Sequence, residues 1–129
     1  MNANPTHEDV IKAVSEDPPD RPSQSFRVLR DNGMDLEFHG WELGRGQYTS
    51  GETQIATFIY LTTGGSIVTS SLYAGPGGTK RRAMCHERPM EALEELFEKG
   101  KLPRSAKAAW ESMCRSWAPF ASLETERIA

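Results

Sequence analysis

TQIATFIYLTTGGSIVTSSLY, residues 53–73, decides how the rest of this chain is read. Over residues 53–62 the side chains alternate, with Ile55, Ile59 and Leu61 on one side and Ala56, Phe58 and Tyr60 on the other. Alternation with period two is the signature of a strand. Thr63-Gly64-Gly65-Ser66 supplies turn chemistry, and residues 66–73 alternate again, so a hairpin is predicted. Both sides of its first strand are apolar, which means that each side of the sheet needs a cover.

The pattern extends in both directions. Downstream, AGPGGTKRRA (residues 74–83) leads into a strand over residues 79–85. Its glycines and Lys80 suggest a phosphate cradle, but a P-loop needs Gly-Lys-Ser/Thr between a strand and a helix. Here Gly78-Thr79-Lys80-Arg81 runs into a strand pattern, so a Gly-rich hairpin turn is the reading, with Pro76 presetting φ. Upstream, Phe26 and Val28 alternate with Arg27 and Leu29 before Asp31-Asn32-Gly33. Asn-Gly there predicts a two-residue hairpin turn with positive φ at both positions. The return strand covers residues 34–43, followed by a glycine-rich loop GRGQYTSGE (residues 44–52), and the apolar phase slips between Phe38 and Trp41, which predicts a bulge at Gly40.

Helices flank the strands. Thr6 followed by Asp9 has the form of a capping box, and Val10, Ile11 and Val14 fall on one helical face. Three prolines in DPPDRPSQ (residues 17–24) then forbid a helix interior or a central strand. After the strands, Pro89 suits a first helical turn, with Met90, Leu93, Leu96 and Phe97 as its stripe and Gly100 ending it. A second helix near Pro103 carries Ala106, Ala109, Trp110, Met113, Cys114 and Trp117 at three- and four-residue spacing. One of the two tryptophans, or Phe120 beyond them, is a candidate for a partner interface.

The expected architecture is α+β: an N-terminal helix, about five antiparallel strands in a meander, and a C-terminal helix pair packed on one sheet face. Residues 1–24 form the helix and proline-rich linker, 25–120 one domain, and 121–129 a frayed tail. With the helix pair on one face, the N-terminal helix is the expected cover of the other, and a second molecule is the alternative.

Composition narrows the function classes. A chain of 129 residues supports one core. No run of apolar residues is long enough for a membrane-spanning helix, and MNANPTHEDV lacks the form of a secretory signal. Two cysteines, Cys85 and Cys114, make neither a disulfide framework nor a metal cluster. A cytoplasmic setting is expected, with no cofactor. The net charge of −3 opposes bulk attraction to nucleic acid.

Local chemistry leaves a short set of candidates. Lys80, Arg81, Arg82 and Arg88 precede Glu91, Glu94, Glu95 and Glu98, so the two groups either make separate surfaces or neutralise each other. The four carboxylates read as the solvated face of a helix. Cys85-His86 suggests a thiol and its base, but neighbours on a strand point to opposite sides; Cys85 reads as a small core residue, and His86 or Glu87 as the cap of the next helix. His7, His39 and His86 have no metal-ligand spacing.

FxGxxLGxG (residues 38–46) and FIYLTTGGSIV (residues 58–68) resemble small uncharacterised bacterial proteins found on mobile elements. The resemblance implies a short meander around an aromatic–Tyr–x–Thr–x–Gly-Gly hairpin. It covers turn and core positions, brings no catalytic residue, and does not extend to AGPGGTKRR.

The reading that follows is a small non-catalytic intracellular adaptor acting through a protein–protein surface, an accessory factor of a mobile element, with an unidentified protein or a second copy of the chain as partner. The alternative is a nucleic-acid-binding module using Lys80, Arg81 and Arg82, with Trp41 or Tyr48 as stacking groups. The candidate partner- or anion-binding site is Lys80, Arg81, Arg82, Arg88 and Trp41. An enzyme acting through Cys85 ranks third.

Overall fold

The computed structural model describes residues 4–98 and 100–124. The chain runs α1 (His7–Glu16), β1 (Gln24–Val28), β2 (Leu36–Ser50), β3 (Thr53–Thr62), β4 (Ile67–Gly75), β5 (Gly78–His86), α2 (Pro89–Leu96) and α3 (Arg104–Ser116), closing with a 3-10 helix over Ala118–Glu124. All five strands form one antiparallel sheet in sequence order. The fold is α+β, as the periodicities predict.

Register divides the side chains between two faces. One face carries Trp41, Ile59, Leu61 and Ile67, which pack with α2 and α3 residues Ala92, Leu96, Ala106, Ala109, Trp110 and Met113 in one core. The expected stripe of α3 is buried throughout. Helix α3 lies over β2 and β3, and α2 over β4 and β5. Close approach at β2 depends on glycine: a Cβ at Gly46 would stand 2.1 Å from the Ser105 carbonyl oxygen. Thr57 and Ser105, both buried, hydrogen-bond to each other across this contact at 3.0 Å.

The other face carries Phe26, Val28, Phe38, Phe58, Tyr60, Val68 and Ala83. Phe26, Phe38 and Tyr60 form an aromatic group with centroids 5.0–5.5 Å apart. The N-terminal helix does not cover this face. Val10 packs in the core on the helix side, and the α1 residue Ile11 lies against the β3–β4 turn at Gly65. The sheet itself supplies the cover by curling. The loop after β1 reaches the outer edge of β5, where Arg81 N–H donates to Asp31 Oδ2 and Ala83 N–H donates to Asn32 Oδ1. In return, Asp31 N–H donates to the Arg81 carbonyl, and Asn32 Nδ2 and Arg30 donate to the Ala83 carbonyl. Val68 and Ala83 are each 1% exposed inside the curl.

Asn32-Gly33 is therefore not the two-residue turn that the sequence predicts. β1 and β2 do pair, but through a loop over residues 29–35, and Gly33 lacks positive φ. Its neighbours Asp31 and Asn32 act as a substitute strand on β5. The bulge also moves: Gly40 keeps register between Gln24 and Thr62, and the shift falls between Glu42 and Gly44. A Cβ at Gly40 would meet the Leu61 carbonyl oxygen at 2.0 Å, which explains the glycine by close backbone approach instead.

Helix ends follow capping chemistry, with corrections. Thr6 and Asp9 make the predicted reciprocal box, at 3.1 and 2.9 Å, and those bonds hold the Asp9 carboxyl below its usual pKa. The N-cap of α2 is Arg88, served by Glu91, whereas His86 stays in β5 and Glu87 precedes the cap. Phe97 leaves the expected α2 stripe; it is the extended C-cap and is exposed. Residues 121–124 of the expected frayed tail are held: Leu123 is buried and its carbonyl accepts from the Trp110 indole at 3.1 Å. Residues 125–129 of that expectation lie outside the described residues. Trp117 donates to the Asp17 carbonyl at 2.6 Å and stacks edge-on with Phe120, so both tryptophans and Phe120 belong to the core.

Candidate functional site

Strand alternation separates the basic run. Lys80 and Arg82 lie on the helix face and Arg81 on the inner face, since their β4 partners are Tyr73, Ser71 and Leu72. Arg82 pairs with Glu95 of α2, and Arg88 with Glu91 at 3.1 Å. The acidic helix thus neutralises two of the four candidate cations. The same pairing, with Arg88 dominant, holds the Glu91 carboxyl below its usual pKa.

Trp41 is not part of this surface. It sits on β2, three strands from β5, or about 14 Å at the usual strand spacing. The residue is 6% exposed, and its indole donates to the Arg21 carbonyl at 2.8 Å. The five proposed residues therefore do not converge.

Cys85 and His86 point to opposite sides of β5, as expected from a strand. Cys85 is exposed rather than a core residue. His86 Nε2 lies 3.3 Å from Thr69 Oγ1, and burial pushes the ring below its usual pKa against the pull of Glu95 and Glu91. Cys114 is buried, and desolvation pushes its thiol up to about 12. Among the described residues no group of three His, Cys, Asp or Glu could hold a metal ion. No described helix is long and apolar enough to cross a membrane.

Two surfaces emerge that the sequence motifs did not mark. The first is an edge. β1 pairs with β2 only over residues 36–40, so residues 41–50 have β3 on one side and, among the described residues, no strand on the other. A cleft of about 490 Å³ opens where β1 begins, lined by Arg21, Phe26, Trp41, Arg45, Ser112 and Ser116 among others. Arg21 caps one edge carbonyl, that of Glu42, at 2.5 Å. Arg45 pairs with Glu42 at 2.9 Å, which raises its pKa, and its guanidinium stands 5.1 Å over the Phe58 ring.

The second surface is a row across the sheet near its hairpin tips. Tyr48 pairs with Ile55, Ile55 with Tyr73, and Tyr73 with Lys80, all on the helix face. Exposure increases along it: Tyr48 and Ile55 are half-buried, while Tyr73 and Lys80 are exposed. Arg104, at the start of α3, stands 5.1 Å over the Tyr48 ring.

No known protein family, curated protein or solved structure matches this chain. The functional reading therefore rests on these surfaces. Counting outward from the turns at residues 51–52 and 76–77 aligns Tyr48 with Ile55 and Tyr73 with Lys80, but joining the two pairs requires the three-residue turn 63–65 of the structure, one residue shorter than the turn that the sequence suggests. Nothing in the local sequence marks Ser112 and Ser116 as cleft residues, because only the docking of α3 beside the β2 edge brings them there.

Proposed function

We propose that this chain is a non-catalytic binding protein that takes an extended segment of a protein partner along the open edge of β2. The supporting observation is the mismatch in strand length, which leaves main-chain groups over residues 41–50 without a strand neighbour on one side. Such an edge accepts an added strand, with main-chain hydrogen bonds giving affinity and adjacent pockets giving selectivity. The cleft at Arg21, Trp41 and Arg45 is the adjacent pocket, and small Ser112 and Ser116 leave room in it.

An adaptor of this kind needs no catalytic group, consistent with the divergence of Cys85 and His86. Two unpaired cysteines, one of them exposed, favour a reducing compartment such as the cytoplasm. A role as an accessory factor of a bacterial mobile element rests on the resemblance at residues 38–46 and 58–68 alone.

The test compares affinity capture from the native cell using the wild-type protein, Ser116→Trp and Arg45→Glu. Ser116→Trp fills the cleft from the exposed end of α3, and Arg45→Glu reverses the charge beside the edge. The reading expects a partner that the wild type retains and both variants lose, while thermal unfolding changes little. Retention by both variants refutes it.

A further inference from the structure

We infer that the row Tyr48, Ile55, Tyr73 and Lys80, with Arg104 beside it, binds single-stranded nucleic acid. The inference is independent of the β2 edge; it keeps Lys80 and Tyr48 from the basic-strand reading, drops Arg81, Arg82 and Trp41, and adds Ile55, Tyr73 and Arg104. Arg82 is committed to Glu95, and Arg81 lies on the other face. Lys80 and Arg104 remain, and neither forms an ion pair among the described residues. Each stands beside a tyrosine: Lys80 is the cross-strand partner of Tyr73, and Arg104 covers Tyr48.

Two flat rings, with an uncompensated cation beside each, offer contacts to the two repeating parts of a single strand, its bases and its phosphates. Bases stack on exposed aromatic rings without sequence preference, and cations beside the rings hold the backbone. Tyr48 and Tyr73 lie two strands apart, which is about 10 Å at the usual spacing. That separation is wider than one base step, so a strand crossing the sheet would stack on Tyr73, pass over Ile55 and meet Tyr48 with Arg104. Base-paired nucleic acid buries its ring faces and offers only edges to such a row, so the unpaired form is the one that fits. The net charge of −3 means that attraction is local and binding depends strongly on salt.

Fluorescence anisotropy with labelled oligothymidylate and oligouridylate of about 20 nucleotides tests the inference. Two phosphate contacts give a slope of about −1.4 in log K against log salt, so affinity should fall about 25-fold between about 20 and 200 mM salt. Lys80→Ala should halve that slope, leaving about a 5-fold fall. Tyr73→Ala should weaken binding roughly 5- to 150-fold, and Tyr73→Phe should restore it because the ring remains. Both side chains are exposed, and circular dichroism with a melting curve confirms that the variants stay folded. Arg81→Ala, on the other face, and Ser116→Trp, at the cleft, should leave oligonucleotide binding unchanged.

Absence of binding at the lowest salt overturns the inference. So does binding that ignores Tyr73→Ala but disappears with Arg81→Ala. If the oligonucleotides do not bind and Tyr73→Ala instead abolishes capture of a protein, the row is a protein contact and the inference fails. The β2-edge proposal stands or falls separately, on Ser116→Trp and Arg45→Glu.

Discussion

Asn32→Ala offers the sharpest test of the curled sheet. Asn32 Oδ1 accepts from the Ala83 N–H at 3.1 Å, and its Nδ2 donates to the Ala83 carbonyl at 3.1 Å. Truncation removes both bonds, but the two losses differ. The carbonyl keeps Arg30, which donates to it at 3.0 Å. The N–H loses its acceptor on a residue that is 1% exposed. An unsatisfied buried donor costs about 1–3 kcal/mol, while a lost bond whose acceptor stays served costs about 0.5–1.5 kcal/mol.

The expected total is about 1.5–4.5 kcal/mol, with a melting temperature lower by roughly 4 °C per kcal/mol for a chain of this size. Asn32→Asp separates the parts, because a carboxylate still accepts from the Ala83 N–H and gives up only the donor. It should cost about 0.5–1.5 kcal/mol, less than Asn32→Ala, because the buried Ala83 N–H keeps an acceptor. Urea unfolding followed by circular dichroism measures both. If Asn32→Ala costs no more than an ordinary surface change, within about 0.5 kcal/mol, or if Asn32→Asp is the worse variant, the loop does not seal β5 in the way described.

Other consequences can be measured alongside. Gly46→Ala should destabilise by about 3 kcal/mol or more, since its Cβ meets backbone of α3 rather than a movable side chain; Gly51→Asn, at φ +60° with nothing near it, should fold normally. Thr57→Val should cost about 1–3 kcal/mol by stranding the Ser105 hydroxyl, and adding Ser105→Ala should recover part of the loss in a double-mutant cycle. His86 has a folded pKa below its usual 6.5 because of burial, so protonation favours the unfolded chain; its contribution is present above that value and is lost as pH falls below it toward the folded pKa. His86→Gln should flatten the decline in unfolding free energy over that window, with Glu91 and Glu95 of α2, the acids that oppose the shift, left in place. Ellman's reagent at mild alkaline pH should modify Cys85 rapidly and Cys114 only on unfolding, because the latter is buried with its thiol pushed up to about 12.

The strand order and the helices were legible because their signals are local, whereas residues 44–50 of β2, with Gly44 and Gly46, read as a loop and form strand instead. Turn residues at 63–66 and 76–77 set the hairpins, the Thr6–Asp9 box starts α1, and the small and aromatic stripe defines α3. The curl was not legible, since it depends on Asp31 and Asn32 meeting Arg81 and Ala83 some 50 residues later. Asn-Gly looked like a turn because Asn side chains serve turns and strand edges by the same hydrogen-bonding chemistry. Cover for the second face was sought in another element, because an apolar pattern records that a face is hidden and not what hides it.

The candidate site was legible only in fragments. Lys80, Arg81 and Arg82 are adjacent in sequence, yet alternation divides them and Glu95 takes one. Trp41 invited a surface role through its residue type, whereas its indole serves the Arg21 carbonyl inside the fold. Tyr73 was overlooked because its significance comes from its cross-strand partners and not from its neighbours in sequence.

Sealing β5 with Asp31 and Asn32 makes the two margins of the sheet unequal. Fibrillar growth by strand addition needs a donor margin and a receptor margin on every unit, so that each arrival renews the site that it consumes. Here the middle of one margin is occupied by side chains that already satisfy Arg81 and Ala83, so an arriving strand could not pair along the full length of β5. The inequality of the margins opposes propagation through this sheet, because the block at β5 interrupts the ladder that each new unit would have to extend.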